Sequence, residues 1–207
     1  MRLSDKAYQL IRQKIITLEL PPLSAIDEQA LMEELRLGRT PIREALQRLS
    51  TEDLVLLAPR RGMFVADIGI TDLQKIFELR MALEGLCARM AAERASAEQV
   101  EAMKKVVHAL DTVDDGDYKG LMMIDERFHE LLYESADNEF LADVLLRLHA
   151  LSFRIWHVVL DRIGCVRDAL EQHIGITEAI EAKDSELAEA LVRQHVAEFQ
   201  QQIKAAL

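Results

Sequence analysis

Apolar residues recur every three to four positions over most of this chain, the period of a helix with one buried face. From Ser4 to Leu18 the positions Ala7, Leu10, Ile11, Ile15 and Leu18 carry that period, and Pro21-Pro22 ends it, which predicts a first helix. Asp27 is placed to cap a short second helix through Leu35, with Ala30, Leu31 and Leu35 turned inward. Arg36-Leu37-Gly38 then turns tightly into RTPIREALQRL, where Thr40 is the expected cap and Pro41 the first helical residue. Ile42, Ala45, Leu46 and Leu49 form the inner stripe of this third helix, leaving Arg39, Arg43 and Gln47 facing outward. The period then shortens: VLLA and MFVAD are two β-prone runs around Pro59-Arg60-Arg61-Gly62, a hairpin with a basic tip.

Beyond Asp67 the helical period returns and hardly stops. Helices are predicted over residues 72–94, 97–113, 117–136, 139–162, 166–182 and 185–206, separated by Ser96, Asp114-Asp115-Gly116, Asp137-Asn138, Gly164 and Lys183-Asp184. Connections this short make successive helices antiparallel neighbours. The chain is therefore expected to be mainly α, with a winged helix-turn-helix over residues 1–67 and an antiparallel six-helix bundle over residues 72–207. The short junction from Asp67 to Thr71 is expected to couple the two.

Charge sharpens this division. Residues 1–66 hold ten Lys/Arg and nine Asp/Glu, whereas residues 67–207 hold fifteen and twenty-seven, so the net charge of −11 belongs to the second part. A near-neutral first part with arginines on one face suits phosphate, and the acidic second part repels it. The charged N-terminal stretch and the absence of a long apolar run predict a cytoplasmic protein with no membrane contact. Cys87 and Cys165 stand far apart in no CxxC spacing, which fits a reducing compartment and a site without thiolates.

In a winged helix-turn-helix the start of the third helix meets base edges in the major groove of double-stranded DNA. Arginine pairs with guanine through two hydrogen bonds, so Arg39 and Arg43 lead, with Gln47 on the same face and Arg60 and Arg61 on the wing. A helical domain with a solvated arginine face is the plainer alternative. GRTPIREALQRL followed by EDLVLLAPRRGMFV resembles the GntR family of bacterial transcription regulators. That resemblance implies DNA contacts from Arg39, Thr40 and Arg43, and a wing around Arg60, Arg61 and Gly62 that reaches the minor groove. The sequence departs from the family pattern at Gly38, Gln29 and Asp53, where Ser or Thr, Arg, and Gly are usual.

The second part carries different chemistry. In LMMIDERFHELLY, Asp125 and His129 are four residues apart, which puts a carboxylate and an imidazole on one helix face: half a metal site, or an accident of helical spacing. Six histidines occur: His108, His129, His149, His157, His173 and His195. His173 and His195 each lie eleven residues from Asp184, the centre of the last inter-helix turn, so an antiparallel hairpin sets them side by side. They sit about 16 Å from its tip at about 1.5 Å per residue. His149 and His157 read as packing or surface residues. Three imidazoles and one carboxylate admit zinc, nickel, manganese or iron.

Six helices behind a GntR-type module resemble the FCD (FadR C-terminal) domain of FadR-type regulators, in its shorter VanR-like form. The resemblance implies a metal held by Asp125, His129, His173 and His195, a homodimer, and an organic or sugar acid as effector. Arg80, which interrupts LRMALEGL, is the first cation for such a carboxylate and Arg154 the second. The plainer role for Arg80 is an ion pair with Glu84, four residues on. The expected function is a ligand-responsive transcription regulator, a repressor, without catalysis. The alternatives are a helical metalloenzyme of hydrolytic or oxygen-using type, for which Glu126-x-x-His129 gives only one of the two motifs a di-iron bundle needs, and a helical interaction module.

Overall fold

The computed structural model describes residues 2–69, 72–159 and 166–207. Nine α-helices and one two-stranded sheet are found among them. Cys165, Gly164, the predicted end of the fifth bundle helix and part of the junction after Asp67 lie outside the described residues.

The chain divides into two compact units, the first formed by residues 1–70 with 153–157 and the second by the remainder. In the first, α1 (Leu3–Ile16) and α2 (Glu28–Leu35) both pack on α3 (Arg39–Thr51). Ala7, Ile11, Ile15 and Ile16 of α1 close over Ile42, Ala45, Leu46 and Leu49 of α3 to make the core. Asp27 caps α2 as expected, its Oδ1 accepting from the amides of Gln29 and Ala30. Ala30 is exposed, and so is Leu10, because α2 and α1 bury narrower stripes than their apolar pattern suggests.

The start of α3 also differs from expectation. Gly38 is the N-terminal cap residue, without a side-chain bond, and Thr40 lies inside the helix. Pro41 becomes the third helical residue, tolerable because the first four amides of a helix have no intrahelical partner. Arg36, left-handed at φ 53°, makes the turn between the two helices.

Strands β1 (Val55–Ala58) and β2 (Gly62–Val65) pair antiparallel with Val55 opposite Val65, and Gly62 supplies the φ of +100° that the turn requires. Asp53 takes the left-handed conformation, φ 59°, which aspartate tolerates better than most residues other than glycine. The segment after the two prolines adds a third edge that no β-pattern announced: Leu23 N donates to Val65 O, Val65 N to Ser24 O, and Ile26 N to Met63 O.

The second unit is built from α4 (Leu73–Arg94), α5 (Ala97–His108), α6 (Tyr118–Ser135), most of α7 (Glu139–Val159), α8 (Val166–Glu181) and α9 (Ser185–Ala206). The predicted 97–113 helix tightens into a 3-10 turn at Ala109–Thr112. Ser96 and Gln99 form a reciprocal capping box on α5, while Asp117 and Asp184 cap α6 and α9. α4 pairs along much of its length with α9, where Gly85 admits Arg193: a Cβ there would fall 2.7 Å from Arg193 Nε. No described helix is long and apolar enough to cross a membrane.

Candidate nucleic-acid interface and metal centre

The first unit presents Arg39, Thr40, Arg43 and Gln47 along the exposed face of α3, and Arg60, Arg61 and Gly62 at the exposed tip of the hairpin. The buried stripe on the other side of α3 fixes that direction. Arg43 is steered from α2: Nε donates to Glu28 Oε2 at 2.8 Å and Nη2 to Oε1 at 3.4 Å. An exposed pair of this kind adds little stability. Its effect is on bearing, because it holds one edge of the guanidinium and leaves Nη1 outward. Arg48 does not share the face; its guanidinium stacks 3.8 Å above the Tyr8 ring and lies beside Glu52.

In the second unit three helices converge on one buried cluster. Asp125 and His129 come from α6, His173 from α8 and His195 from α9, and one ligand atom from each lies within 4.8 Å of all the others. Asp125 Oδ1 is 3.8 Å from His129 Nε2 and 3.7 Å from His173 Nε2, and the Nε2 atoms of His173 and His195 are 3.4 Å apart. The α8–α9 hairpin thus brings the two later histidines together edge to face, with ring centroids 4.7 Å apart.

Further residues aim these rings. His195 Nδ1 lies 3.0 Å from Gln172 Oε1, so the imidazole donates there and its bare Nε2 points to the cluster. Phe128 stacks on His173 with centroids 3.9 Å apart and planes 11° from parallel. Behind His129, Nδ1 faces the Tyr133 hydroxyl at 3.3 Å and Glu84 Oε2 at 3.4 Å; the latter is close enough for attraction but off hydrogen-bond geometry. Sequence reading missed these partners apart from Glu84, which it paired with Arg80. Tyr133 had a signal, since it follows His129 by four residues on the face that bears Asp125. His149 was also missed: it lies in the cluster's surround, its Nε2 3.3 Å from Asp125 Oδ2.

Burial sets the charge states. It holds His129 and His173 well below the ordinary histidine value and lowers His195, despite opposing attraction from Asp125 on His129 and His195. Burial likewise raises Asp125, against the pull of His129, His195 and Arg80. Neutral imidazoles with lone pairs turned on one another and on a carboxylate are poorly satisfied by each other alone. A divalent cation would accept all four donors. Ligands on one ion with bonds of about 2.1 Å stand roughly 3–4 Å apart, so the observed spacing needs only a small contraction. The donor set therefore fits a transition metal.

Arg80 is buried beside this cluster and locked in place: Nε donates to Glu84 Oε1 at 2.5 Å and Nη1 to Ser152 Oγ at 2.7 Å. Burial alone would lower its pKa, but Glu84, with help from Tyr133 and Asp125, more than offsets that and keeps it charged. Arg154 lies elsewhere, its Nη2 donating to the Ala66 carbonyl at 2.7 Å within the first unit, and burial brings it down to about 10. His157 is half-buried, with burial pushing it down to about 4, and His108 is exposed.

Comparison with known proteins places these features. Residues 3–65 match the model of the bacterial regulatory proteins of the gntR family, and residues 75–198 match that of the FCD domain. The chain is 24% identical over 202 residues to the HTH-type transcriptional repressor RspR of Escherichia coli K12, covering 97% of this chain and 89% of RspR. It is 34% identical over 134 residues to an HTH-type transcriptional regulator from the TAR-I ttuE-ttuC' intergenic region of Agrobacterium vitis, 63% of this chain and 78% of that one. Among solved structures, E. coli McbR/YncC superposes with a TM-score of 0.79 at 23% identity, over 99% of this chain and 96% of that one, a likeness of fold. Winged module, helical bundle and matches together define a DNA-binding transcription regulator. The chain belongs to the GntR family and carries an FCD effector domain. That membership sets aside the metalloenzyme alternative.

Proposed function

We propose that this regulator is a metal-dependent repressor whose second unit binds a divalent transition metal through Asp125, His129, His173 and His195, and there senses a small organic or sugar acid. The observation that carries the reading is the buried convergence of three neutral imidazoles and one carboxylate from three helices. With only these four residues as protein ligands, a bound divalent ion would be able to take a small carboxylate as a further ligand. Of the two arginines, Arg80 is the better placed to meet the effector's charge, by exchanging Glu84 for it; Arg154 is engaged away from the cluster.

Operator contacts are assigned to Arg39, Thr40, Arg43 and Gln47 in the major groove and to Arg60, Arg61 and Gly62 on the wing. Residues 1–67 serve as the DNA-binding domain and 72–207 as the sensing domain, acting as a homodimer whose two-fold symmetry matches paired half-sites. The word repressor follows the E. coli relative RspR, which bears it.

An effector changes operator affinity only if it binds the DNA-competent and incompetent states unequally. The test is a thermal-shift screen of organic and sugar acids, with and without added zinc, nickel, manganese or iron, followed by operator titration with each hit. The reading requires an acid that stabilises the metal-loaded protein, leaves the metal-free protein unmoved, and alters operator affinity. Acids acting equally on both forms would overturn it.

A further inference from the structure

Asp125 faces two ways. Its Oδ1 is turned to the imidazoles of His129 and His173, at 3.8 and 3.7 Å, while Oδ2 lies 3.3 Å from Nε2 of His149. His149 stands on α7, is buried, and is not one of the four residues whose ligand atoms cluster. Its ring packs between neighbours, tilted 42° to His129 with centroids 4.6 Å apart and edge-on to Tyr133 at 6.2 Å. The placement follows from the same hairpin geometry that pairs His173 with His195. Asp125 and His149 each lie twelve residues from Asp137, at the turn between α6 and α7, so antiparallel helices bring them level.

A carboxylate turns easily about its last torsion. Left to itself, Asp125 can offer a cation either oxygen or both. An imidazole nitrogen 3.3 Å from Oδ2 biases that choice, because it draws one oxygen to itself and leaves Oδ1 towards the histidines. We infer that His149 is a positioning residue that fixes Asp125 as a one-oxygen metal ligand. The inference rests on the metal reading above and adds a consequence: with Asp125 confined to one oxygen, one more position on the ion stays open to an effector.

Cobalt(II) titration of the full-length protein, by chelator competition and visible spectroscopy, tests this with two variants. His149→Leu has no donor. His149→Gln carries an amide nitrogen at about the reach of Nε2. Loss of a polar partner behind a metal ligand weakens binding by about 10–100-fold, the loss expected for leucine, with glutamine recovering most of it. X-ray absorption is expected to count three imidazoles on cobalt in the wild type and in both variants. Wild-type affinity in the leucine variant, or equal loss in both variants, overturns the inference. So does a count of four imidazoles that drops to three without His149, which makes it a ligand. If the leucine variant does not fold, His149→Phe, closer in shape and also without a donor, replaces it. A wild-type protein that binds no cobalt overturns the underlying metal reading, whereas the other adverse results leave that reading standing.

Discussion

The exposed face of α3 and the buried cluster of the second unit solve opposite physical problems. On α3 the charged side chains stand exposed to water, and the Glu28 bond to Arg43 is the contact that directs one of them. In the cluster, burial alters every ionisable member, and no residue can be described without its neighbours. Substitutions on the helix face are therefore expected to act locally and additively, and substitutions in the cluster collectively.

The largest effect is expected at His173, which is fully buried and touches His195, Asp125 and Phe128. His173→Ala should weaken metal binding by more than the roughly 100-fold that is the upper range for residues behind the ligands. Calorimetric titration checks this, and operator binding by the metal-free wild type and variant should agree. Next comes Arg43→Ala, expected to cost about 1–3 kcal/mol of operator discrimination, the worth of a bidentate base contact, with metal content unchanged. Discrimination between operator and scrambled DNA left unchanged by the substitution would refute the recognition-helix assignment.

A smaller effect separates the regions by pH. His129, His173 and His195 have folded values below that of a free histidine, so the unfolded chain takes up protons that the fold refuses. Stability of the metal-free protein should thus be intact above about pH 6.5 and fall below it, by up to about 1.4 kcal/mol per pH unit for each group. Asp125, raised by burial, works the other way, since the folded form takes its proton first. Three imidazoles against one carboxylate leave a net loss towards acid, visible as a falling unfolding midpoint; a flat profile would contradict neutral histidines in the cluster.

Two finer tests concern the first unit. Arg61→Ala should lower the slope of log affinity against log salt by about 1, whatever the DNA sequence, if the wing holds phosphate. Thr40→Ala should leave stability within about 0.5 kcal/mol, as for an ordinary surface site, because Gly38 and not Thr40 precedes the helix; a loss of about 1 kcal/mol would restore Thr40 as a cap.

The same contrast explains what could be read from the chain. The exposed face of α3 is local, so a run of thirteen residues displays Arg39, Arg43 and Gln47 at helical spacing. Helix ends were legible where Asp27, Ser96, Asp117 and Asp184 cap them, and misplaced at α3, where a glycine without a capping side chain gave no mark. The cluster is non-local. Asp125 with His129 was visible as a spacing, and His173 with His195 as a symmetry about a turn. Gln172, Glu84 and His149 were hidden because their roles depend on which way a buried ring turns. His149 was in reach of the symmetry argument, applied at Asp137 as well as at Asp184. The added edge at Leu23 to Ile26 gave no period to read, since backbone bonding alone makes it.

The claim that joins the two regions is that the buried cluster is a metal site. Elemental analysis of the purified protein, reconstituted with one divalent metal at a time and then dialysed, tests it most directly beside Asp125→Ala. The account predicts one tightly held ion per chain in the wild type and none in the variant. A wild type that retains no ion, or a variant that retains as much as the wild type, would contradict it.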